Sequence, residues 1–122
     1  MIVRMHHFGM MTKDLEQSIK DFQNQGFEIY KSFEKEGMKA AMLQKNDARV
    51  ELWEFENPDG ELESKIKKHS AFVSDDLDND VDEFINTGYE LAIPISEGTV
   101  VKRYAYIKDS AGNYIELVEP ED

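Results

Sequence analysis

The sequence predicts an α+β domain made of two tandem βαβββ modules with curved mixed sheets. Two observations carry this prediction. The chain repeats itself at a fixed offset, and each copy has one segment of helical periodicity followed by strand-like segments. The 122 residues, 40% of them hydrophobic, suffice for one core. We therefore expect a single domain over 1–122, with modules at about 1–56 and 67–119.

The repeat is free of gaps over its first part. Six residues recur 62 positions later as an identical or similar residue, in the pairs His7/His69, Leu15/Leu77, Phe22/Phe84, Gly26/Gly88, Phe27/Tyr89 and Glu28/Glu90. Each copy also ends on a similar segment, Val50-Glu51-Leu52 and then Ile115-Glu116-Leu117. These glutamates are 65 residues apart, so the second copy holds three extra residues. We expect them in the final strand pair, with its turn at 109–112.

The first copy predicts a strand, a helix and three further strands. The opening strand runs to about Met10, and Asp14 begins a helix with Gln17 as the second half of a capping box. An apolar stripe follows at helical spacing, and Gly26 ends the helix because glycine suits a left-handed C′ position. Alternating or apolar stretches predict the strands, at 27–33, 38–44 and 48–55.

The second copy predicts the same order. Leu77, Val81 and Phe84 form the apolar stripe of its helix, and Gly88 ends it. Strands are expected at 89–95, 100–108 and 113–119. The segment 56–66 between the copies contains Asn-Pro-Asp-Gly and predicts a turn-rich linker.

Composition excludes several classes of protein. The chain has no cysteine, so disulfides, thiolate metal sites and cysteine nucleophiles are excluded. The formal charge of −12 disfavours nucleic acid and anionic membranes as partners. The N-terminal residues lack the apolar region of a signal peptide, and no apolar run is long enough to cross a bilayer. We therefore expect a cytoplasmic protein that acts on a small molecule.

The repeated histidines and glutamates predict a metal site. Two related modules usually face each other about an approximate two-fold axis, which would bring His7, Glu51, His69 and Glu116 together. A buried glutamate is costly unless it is paired or bound to a cation. Two imidazoles and two carboxylates suit Zn, Ni, Co, Fe or Mn, with one or two positions left for water or substrate. The alternative is a pair of hydrogen-bonded structural histidines.

Strand alternation sorts the neighbours of these four residues. His6, Glu54 and Glu119 are expected on the opposite faces from the proposed ligands. The residues that share the ligand faces are either core or the wall of a substrate pocket, and we favour the pocket: they are Arg49, Trp53 and Phe55 beside Glu51, and Tyr114 beside Glu116.

These residues carry a resemblance to a known superfamily. The paired modules, Met5-His6-His7-Phe8-Gly9, Lys68-His69-Ser70-Ala71-Phe72 and the segment 109–117 resemble the vicinal oxygen chelate superfamily, and within it glyoxalase I-like proteins. The resemblance implies that His7, Glu51, His69 and Glu116 bind one divalent ion, with Ni, Co or Zn preferred and Fe or Mn possible. It also implies a homodimer in which each subunit supplies one His–Glu pair to a site.

The resemblance implies the chemistry of a lactoylglutathione lyase. Such an enzyme converts the hemithioacetal of a 2-oxoaldehyde, for example methylglyoxal, to a 2-hydroxyacyl thioester through an enediolate. Glu116 is then the first choice for the carboxylate that moves the proton, and Glu51 the second. Glutathione-using members usually have an arginine four residues after the first ligand, where this chain has Met11. The identity of the thiol is therefore open.

The sequence leaves open the role of one basic pair and two other functions. Lys102 and Arg103 could form a basic mouth for a thiol or a coenzyme A phosphate, or they could be solvated surface charge. An epimerase of the methylmalonyl-coenzyme A type would also abstract a proton beside a metal-held carbonyl. A non-catalytic protein of the same superfamily would bind a small drug without turnover.

Overall fold

The computed structural model describes residues 1–121. The chain forms two compact units. We call the unit of His7–Lys68 the N-terminal unit. The other, the C-terminal unit, comprises Met1–His6 and the chain from His69 onward. The first six residues thus belong with the second copy of the repeat, whereas the sequence assigns them to the first.

The N-terminal unit has one mixed sheet. Its strands have the order β2-β3-β4-β1, and only the pair β1–β4 is parallel. A second, short helix lies in the segment that the sequence predicts as a turn-rich linker. Strand β1 (Ile2–Met11) begins in the C-terminal unit and continues into the N-terminal unit from His7 onward. The other elements are α1 (Leu15–Asn24), β2 (Glu28–Lys35), β3 (Met38–Lys45), β4 (Ala48–Phe55) and α2 (Glu63–Ile66).

The C-terminal unit repeats this arrangement with the order β5-β8-β7-β6 and a parallel pair β5–β8. Its elements are β5 (Lys68–Ser74), α3 (Leu77–Asn86), β6 (Glu90–Glu97), β7 (Arg103–Lys108) and β8 (Tyr114–Glu119). Both α1 and α3, and both β2 and β6, lie at the offset of 62 that the repeat predicts. The α+β class and the duplicated βαβββ unit are therefore confirmed.

The two long helices begin in the same way. The side chain of Asp14 accepts a hydrogen bond of 3.1 Å from the backbone N–H of Gln17, and Asp76 accepts one from Asn79. The predicted capping box is only half formed, because the side chain of Gln17 donates to Asp21, one turn further along. Of the two residues of the predicted box, only the aspartate therefore caps α1.

Each helix covers the apolar face of its own sheet. In the N-terminal unit the buried cluster is Leu15, Ala41, Leu43 and Leu52. In the C-terminal unit it is Leu77, Val81, Ala105, Ile107 and Leu117. The side chains that alternate with these on β4 and β8 lie on the opposite face of the sheet, and they include Glu51 and Glu116.

The three extra residues of the second copy do not all lie where the sequence predicts. Lys31 pairs with Met42, and Ile93, 62 residues after Lys31, pairs with Tyr106, which is 64 residues after Met42. Two extra residues therefore lie in the β6–β7 hairpin and only one in the β7–β8 hairpin. The longer connection also delays the start of β7 to Arg103, three residues later than predicted.

Strand β2 is more exposed than its alternating sequence predicts. It pairs only with β3 among the described strands, and seven of its eight residues are exposed. Phe33 is the partly buried exception, because its ring packs against Trp53 on β4. No helix among residues 1–121 is long and apolar enough to cross a membrane.

Candidate functional site

His7 and Glu51 form a buried pair in the N-terminal unit. In the parallel register Gly9 of β1 lies opposite Glu51 of β4, and His7, two residues earlier, is on the same face. Nε2 of His7 lies 3.5 Å from Oε1 of Glu51. The residues are only 3% and 6% exposed, so an imidazole nitrogen and a carboxylate meet with little water around them.

His69 and Glu116 form the equivalent pair in the C-terminal unit. Ala71 of β5 lies opposite Glu116 of β8, again two residues after the histidine. Nε2 of His69 lies 3.1 Å from Oε1 of Glu116, and the residues are 2% and 6% exposed. The register of the two parallel strand pairs is therefore conserved through the duplication, together with the residues that it brings into contact.

Each pair has the chemistry and spacing of two ligands of one metal ion. Zinc–nitrogen and zinc–oxygen bonds of about 2.0–2.2 Å place two neighbouring ligand atoms roughly 3.0–3.4 Å apart. The N–O separations of 3.5 and 3.1 Å are close to that range. Imidazole and carboxylate together suit borderline divalent ions such as Zn, Ni and Co. Both pairs could therefore hold a metal ion.

Trp53 is attached to the first pair by a direct hydrogen bond. Its indole Nε1 donates to Oε1 of Glu51 over 2.8 Å, and both side chains are buried. Phe33 packs edge-on against the indole at 5.4 Å, and Phe55 stacks on it at 5.5 Å. The sequence places Trp53 on the ligand face by strand alternation, but it gives no indication of this hydrogen bond.

Tyr106 is a neighbour of the second pair that sequence reasoning missed. It lies opposite Glu116 in the antiparallel pair β7–β8, and its hydroxyl oxygen is 3.2 Å from Nε2 of His69. The two rings also pack edge-on at 5.0 Å. The residue is found only once the register of β7 is known, since the extra residues of the β6–β7 hairpin change its position relative to the repeat.

The other predicted pocket residues of the N-terminal unit differ in their surroundings. Met11 is exposed at the end of β1. The guanidinium of Arg49 lies over the ring of Tyr30 at 4.9 Å, and its Nε donates to Gln44 over 3.3 Å. Among the predicted pocket residues beside Glu51, Trp53 donates a hydrogen bond to that carboxylate.

The basic pair Lys102 and Arg103 does not lie beside Glu116. Arg103 pairs with Glu119, three residues beyond Glu116 on β8, so strand alternation places it on the opposite face. Its guanidinium donates two hydrogen bonds of 3.0 Å to Glu119 and one to Asp78. These bonds hold the pKa of Glu119 and of Asp78 below their usual values. Lys102 is exposed, 4.0 Å from Glu119.

Of the two alternatives for Lys102 and Arg103, the contacts with Glu119 and Asp78 favour surface charge over a basic mouth beside Glu116. Strand β7 begins at Arg103, and Tyr106 rather than Arg103 faces Glu116. Tyr114 lies at the start of β8 with the Lys108 ammonium 5.7 Å from its ring centroid.

The residues expected on the opposite faces have structural partners there. Glu54 accepts a hydrogen bond of 2.9 Å from the backbone N–H of Leu15, at the start of α1. His6 is buried in the C-terminal unit, with Nε2 3.1 Å from a carboxylate oxygen of Glu121. Adjacent histidines on β1 thus have different carboxylate partners.

Comparison with known proteins gives the family. Residues 4–117 match the family model of the Glyoxalase/Bleomycin resistance protein/Dioxygenase superfamily. The chain belongs to this superfamily. No curated protein matches the sequence. The superfamily includes enzymes and binding proteins, so membership alone leaves the activity open.

Solved structures of the superfamily fold are similar over nearly the whole chain. Methylmalonyl-CoA epimerase from Mycobacterium tuberculosis is 22% identical with a TM-score of 0.82, over 99% of this chain and 90% of the epimerase. A hypothetical protein from Bacillus halodurans is 14% identical with a TM-score of 0.79, over 98% and 95%. A mutant 4-hydroxymandelate synthase from Streptomyces coelicolor is 13% identical with a TM-score of 0.79, over 99% of this chain but 39% of the synthase. At these identities the likeness concerns the fold.

Proposed function

We propose that this superfamily member is a divalent-metal-dependent lyase or isomerase of the glyoxalase I type. Its substrate would be the hemithioacetal of a 2-oxoaldehyde and a thiol, and its product a 2-hydroxyacyl thioester. His7, Glu51, His69 and Glu116 would together bind one ion, Ni, Co or Zn in the first place. The observation that supports this most is the occurrence of the same buried His–Glu pair, at the same strand register, in both units.

The burial of the carboxylates favours a metal role over a purely structural one. Taking an ionised carboxylate out of water is costly, and hydrogen bonds from neutral groups, such as that from Trp53 to Glu51, leave its charge uncompensated. A duplicated pair doubles that cost, whereas one divalent cation would offset it for both glutamates. Four protein ligands would leave one or two positions for substrate oxygens on an ion of five or six ligands.

In the proposed reaction the ion and the side chains have different roles. When bound, the ion would polarise the substrate oxygens and stabilise the negative charge that develops on them. Glu116 would take the proton from one carbon of the substrate and return it to the adjacent carbon. His7 and His69 would stay neutral as nitrogen ligands. The aromatic rings of Trp53 and Tyr106 beside the pairs would limit access of water to the proton in transit.

A substrate panel tests the proposal. Metal-free protein is reloaded with Ni, Co or Zn and assayed with hemithioacetals of methylglyoxal with several thiols, and with methylmalonyl-CoA. Turnover of a hemithioacetal, lost on removal of the metal, supports the proposal. Epimerisation of the acyl-CoA without hemithioacetal turnover would replace it with an epimerase. Tight ligand binding with no turnover in any metal-loaded form would show that the protein binds a small molecule without catalysis.

We also propose a homodimer, on the resemblance to glyoxalase I-like proteins. Light scattering of the metal-loaded protein measures the mass directly. A strictly monomeric protein that still holds one ion would show that both His–Glu pairs come from a single chain.

A further inference from the structure

We infer that Trp53 is a positioning residue, whose indole N–H holds the Glu51 carboxylate in the orientation that binds the metal. This inference rests on the metal site proposed above. The donor and acceptor are 2.8 Å apart, and both side chains are 6% exposed. A buried hydrogen bond to an ionised acceptor is among the stronger ones, and its loss leaves a carboxylate oxygen unsatisfied.

The indole is suited to this role because it is a donor only. It carries no acceptor and does not titrate, so it can donate to Oε1 both in the metal-free and in the metal-bound protein. A carboxylate has about four lone-pair directions, and the indole takes one of them. The indole bond therefore leaves the carboxylate able to bind a metal ion together with His7, whose Nε2 lies 3.5 Å from the same oxygen.

The indole is itself fixed by its neighbours. Phe33, Ala40 and Trp53 lie in one row across β2, β3 and β4. Ala40 is small and buried, so the rings of Phe33 and Trp53 meet over it at 5.4 Å and 83°. Phe55, two residues further along β4, stacks on the indole at an interplanar angle of 16°. The indole that supports the carboxylate is thus packed against aromatic rings from two strands, β2 and β4.

The hydrogen bond from the indole to the glutamate occurs in the first copy of the repeat alone. The residue two positions after Glu116 is Val118, which is buried and has no side-chain donor. Across the strand, Met42 faces Glu51 where Tyr106 faces Glu116. The two copies therefore share the His–Glu pair and differ in the indole hydrogen bond. Outer hydrogen bonds to metal ligands typically change metal affinity by about 10–100-fold.

The test is a double-mutant cycle on metal affinity, read by calorimetry with Co²⁺ and by the visible absorption of the bound Co²⁺. Trp53→Phe keeps an aromatic ring and removes the N–H, and we expect it to weaken Co²⁺ binding about 10-fold and to change the Co²⁺ absorption bands. Phe27→Leu, in the same unit but on the helix side of the sheet, is the control and should bind as the wild type does. In a Glu51→Ala background, Trp53→Phe should have no further effect.

Two results separate this inference from the proposed site. If Glu51→Ala weakens Co²⁺ binding and Trp53→Phe leaves affinity and absorption bands unchanged, the positioning role is wrong and the metal site stands. If Glu51→Ala itself has no effect, Glu51 is not a ligand, and the proposed site fails together with the inference.

A second measurement needs no variant. Trp53 is the only tryptophan of the sequence, so the ¹⁵N–¹H correlation spectrum has a single indole cross-peak. We expect this peak to shift during a Zn²⁺ titration and to stop shifting when the site is saturated. An indole peak that stays in place while calorimetry shows Zn²⁺ binding would overturn the inference.

Discussion

The hydroxyl oxygen of Tyr106 lies 3.2 Å from Nε2 of His69, the ring nitrogen that also faces Glu116. A ring nitrogen carries either one proton or one lone pair in the ring plane, so Nε2 cannot bind a metal ion and keep this hydrogen bond. The hydroxyl and the ion therefore compete for the same atom. The metal-free protein has a buried hydrogen bond that metal binding must break.

This competition gives the first prediction. Tyr106→Phe removes the hydroxyl and keeps the ring, so it should lower the unfolding free energy of the metal-free protein by about 1 kcal/mol. The same variant should bind Zn²⁺ up to about 5-fold more tightly, because metal binding no longer has to break the hydrogen bond to His69. Urea unfolding and chelator competition measure the two quantities. Tyr89→Phe is the control, and a weaker Zn²⁺ affinity in Tyr106→Phe would show that the hydroxyl supports the bound state.

The second prediction concerns the proposed base. Glu116→Gln keeps the size of the side chain and removes its ability to accept a proton, so turnover should fall by about 10²–10⁴-fold. The matched control is Glu119→Gln on the same strand, whose carboxylate is bonded to Arg103 on the opposite face. That variant should keep the wild-type turnover. Full activity in Glu116→Gln would remove Glu116 from the proton transfer.

The third prediction concerns pH and the amino terminus. The α-amino group of Met1 donates hydrogen bonds to Asp75 and Asp80, and these raise its pKa from 8.0 to about 10. Asp80 is buried, which by itself raises its pKa, but hydrogen bonds from the α-amino group and from Ser74 outweigh burial and lower it. The amine therefore stabilises the fold fully below pH 8, and this contribution is lost between pH 8 and 10. The contribution of Asp80 is lost in acid, as pH falls through its lowered pKa.

Asp80→Asn tests this pair of effects. In protein that begins at Met1, chemical unfolding of the wild type should show a loss of stability between pH 8 and 10 that is smaller in Asp80→Asn, where the hydrogen bond to Asp75 remains. Equal slopes for the two proteins over that interval would show that the ion pair does not form in solution.

The fourth prediction concerns the end of α3. Gly88 has φ of +107°, a conformation that side chains with a Cβ disfavour, although a Cβ there would meet no atom within 4 Å. Gly88→Ala should therefore destabilise the protein by about 1–2 kcal/mol through backbone strain alone. Asn86→Ala, at the last residue of α3, should have a much smaller effect. If urea unfolding gives the same free energy of unfolding for Gly88→Ala as for the wild type, the backbone at residue 88 relaxes to another conformation in the variant.

The duplicated fold could be predicted because its signals are local. Asp14, Gly26 and Gly88 mark helix ends through their own backbone preferences, and the structure has those ends. Strand β4 has the predicted bounds, 48–55, because apolar alternation and a following turn define it. The extra residues of the second copy were misplaced because hairpin length and register depend on pairing with the neighbouring strand, not on the segment itself.

The residues of the candidate site were likewise predictable only in part. The duplicated positions of His7 and His69 are visible in the sequence, and strand alternation assigns Trp53 to the face of Glu51. The role of Tyr106 depends on its register opposite Glu116, which no local pattern encodes. The sequence left the role of Arg103 open for the same reason, since the face on which it lies depends on the register of β7.

The central claim is that two His–Glu pairs bind one ion, and metal content per chain tests it most directly. Purified protein is stripped of metal, reloaded with Zn²⁺, Ni²⁺ or Co²⁺, dialysed and analysed by mass spectrometry for elements, beside His69→Ala and Glu51→Ala. We predict about one ion per chain in the wild type and much less in either variant. Wild-type protein that retains no ion, or variants that retain as much as the wild type, would contradict the account.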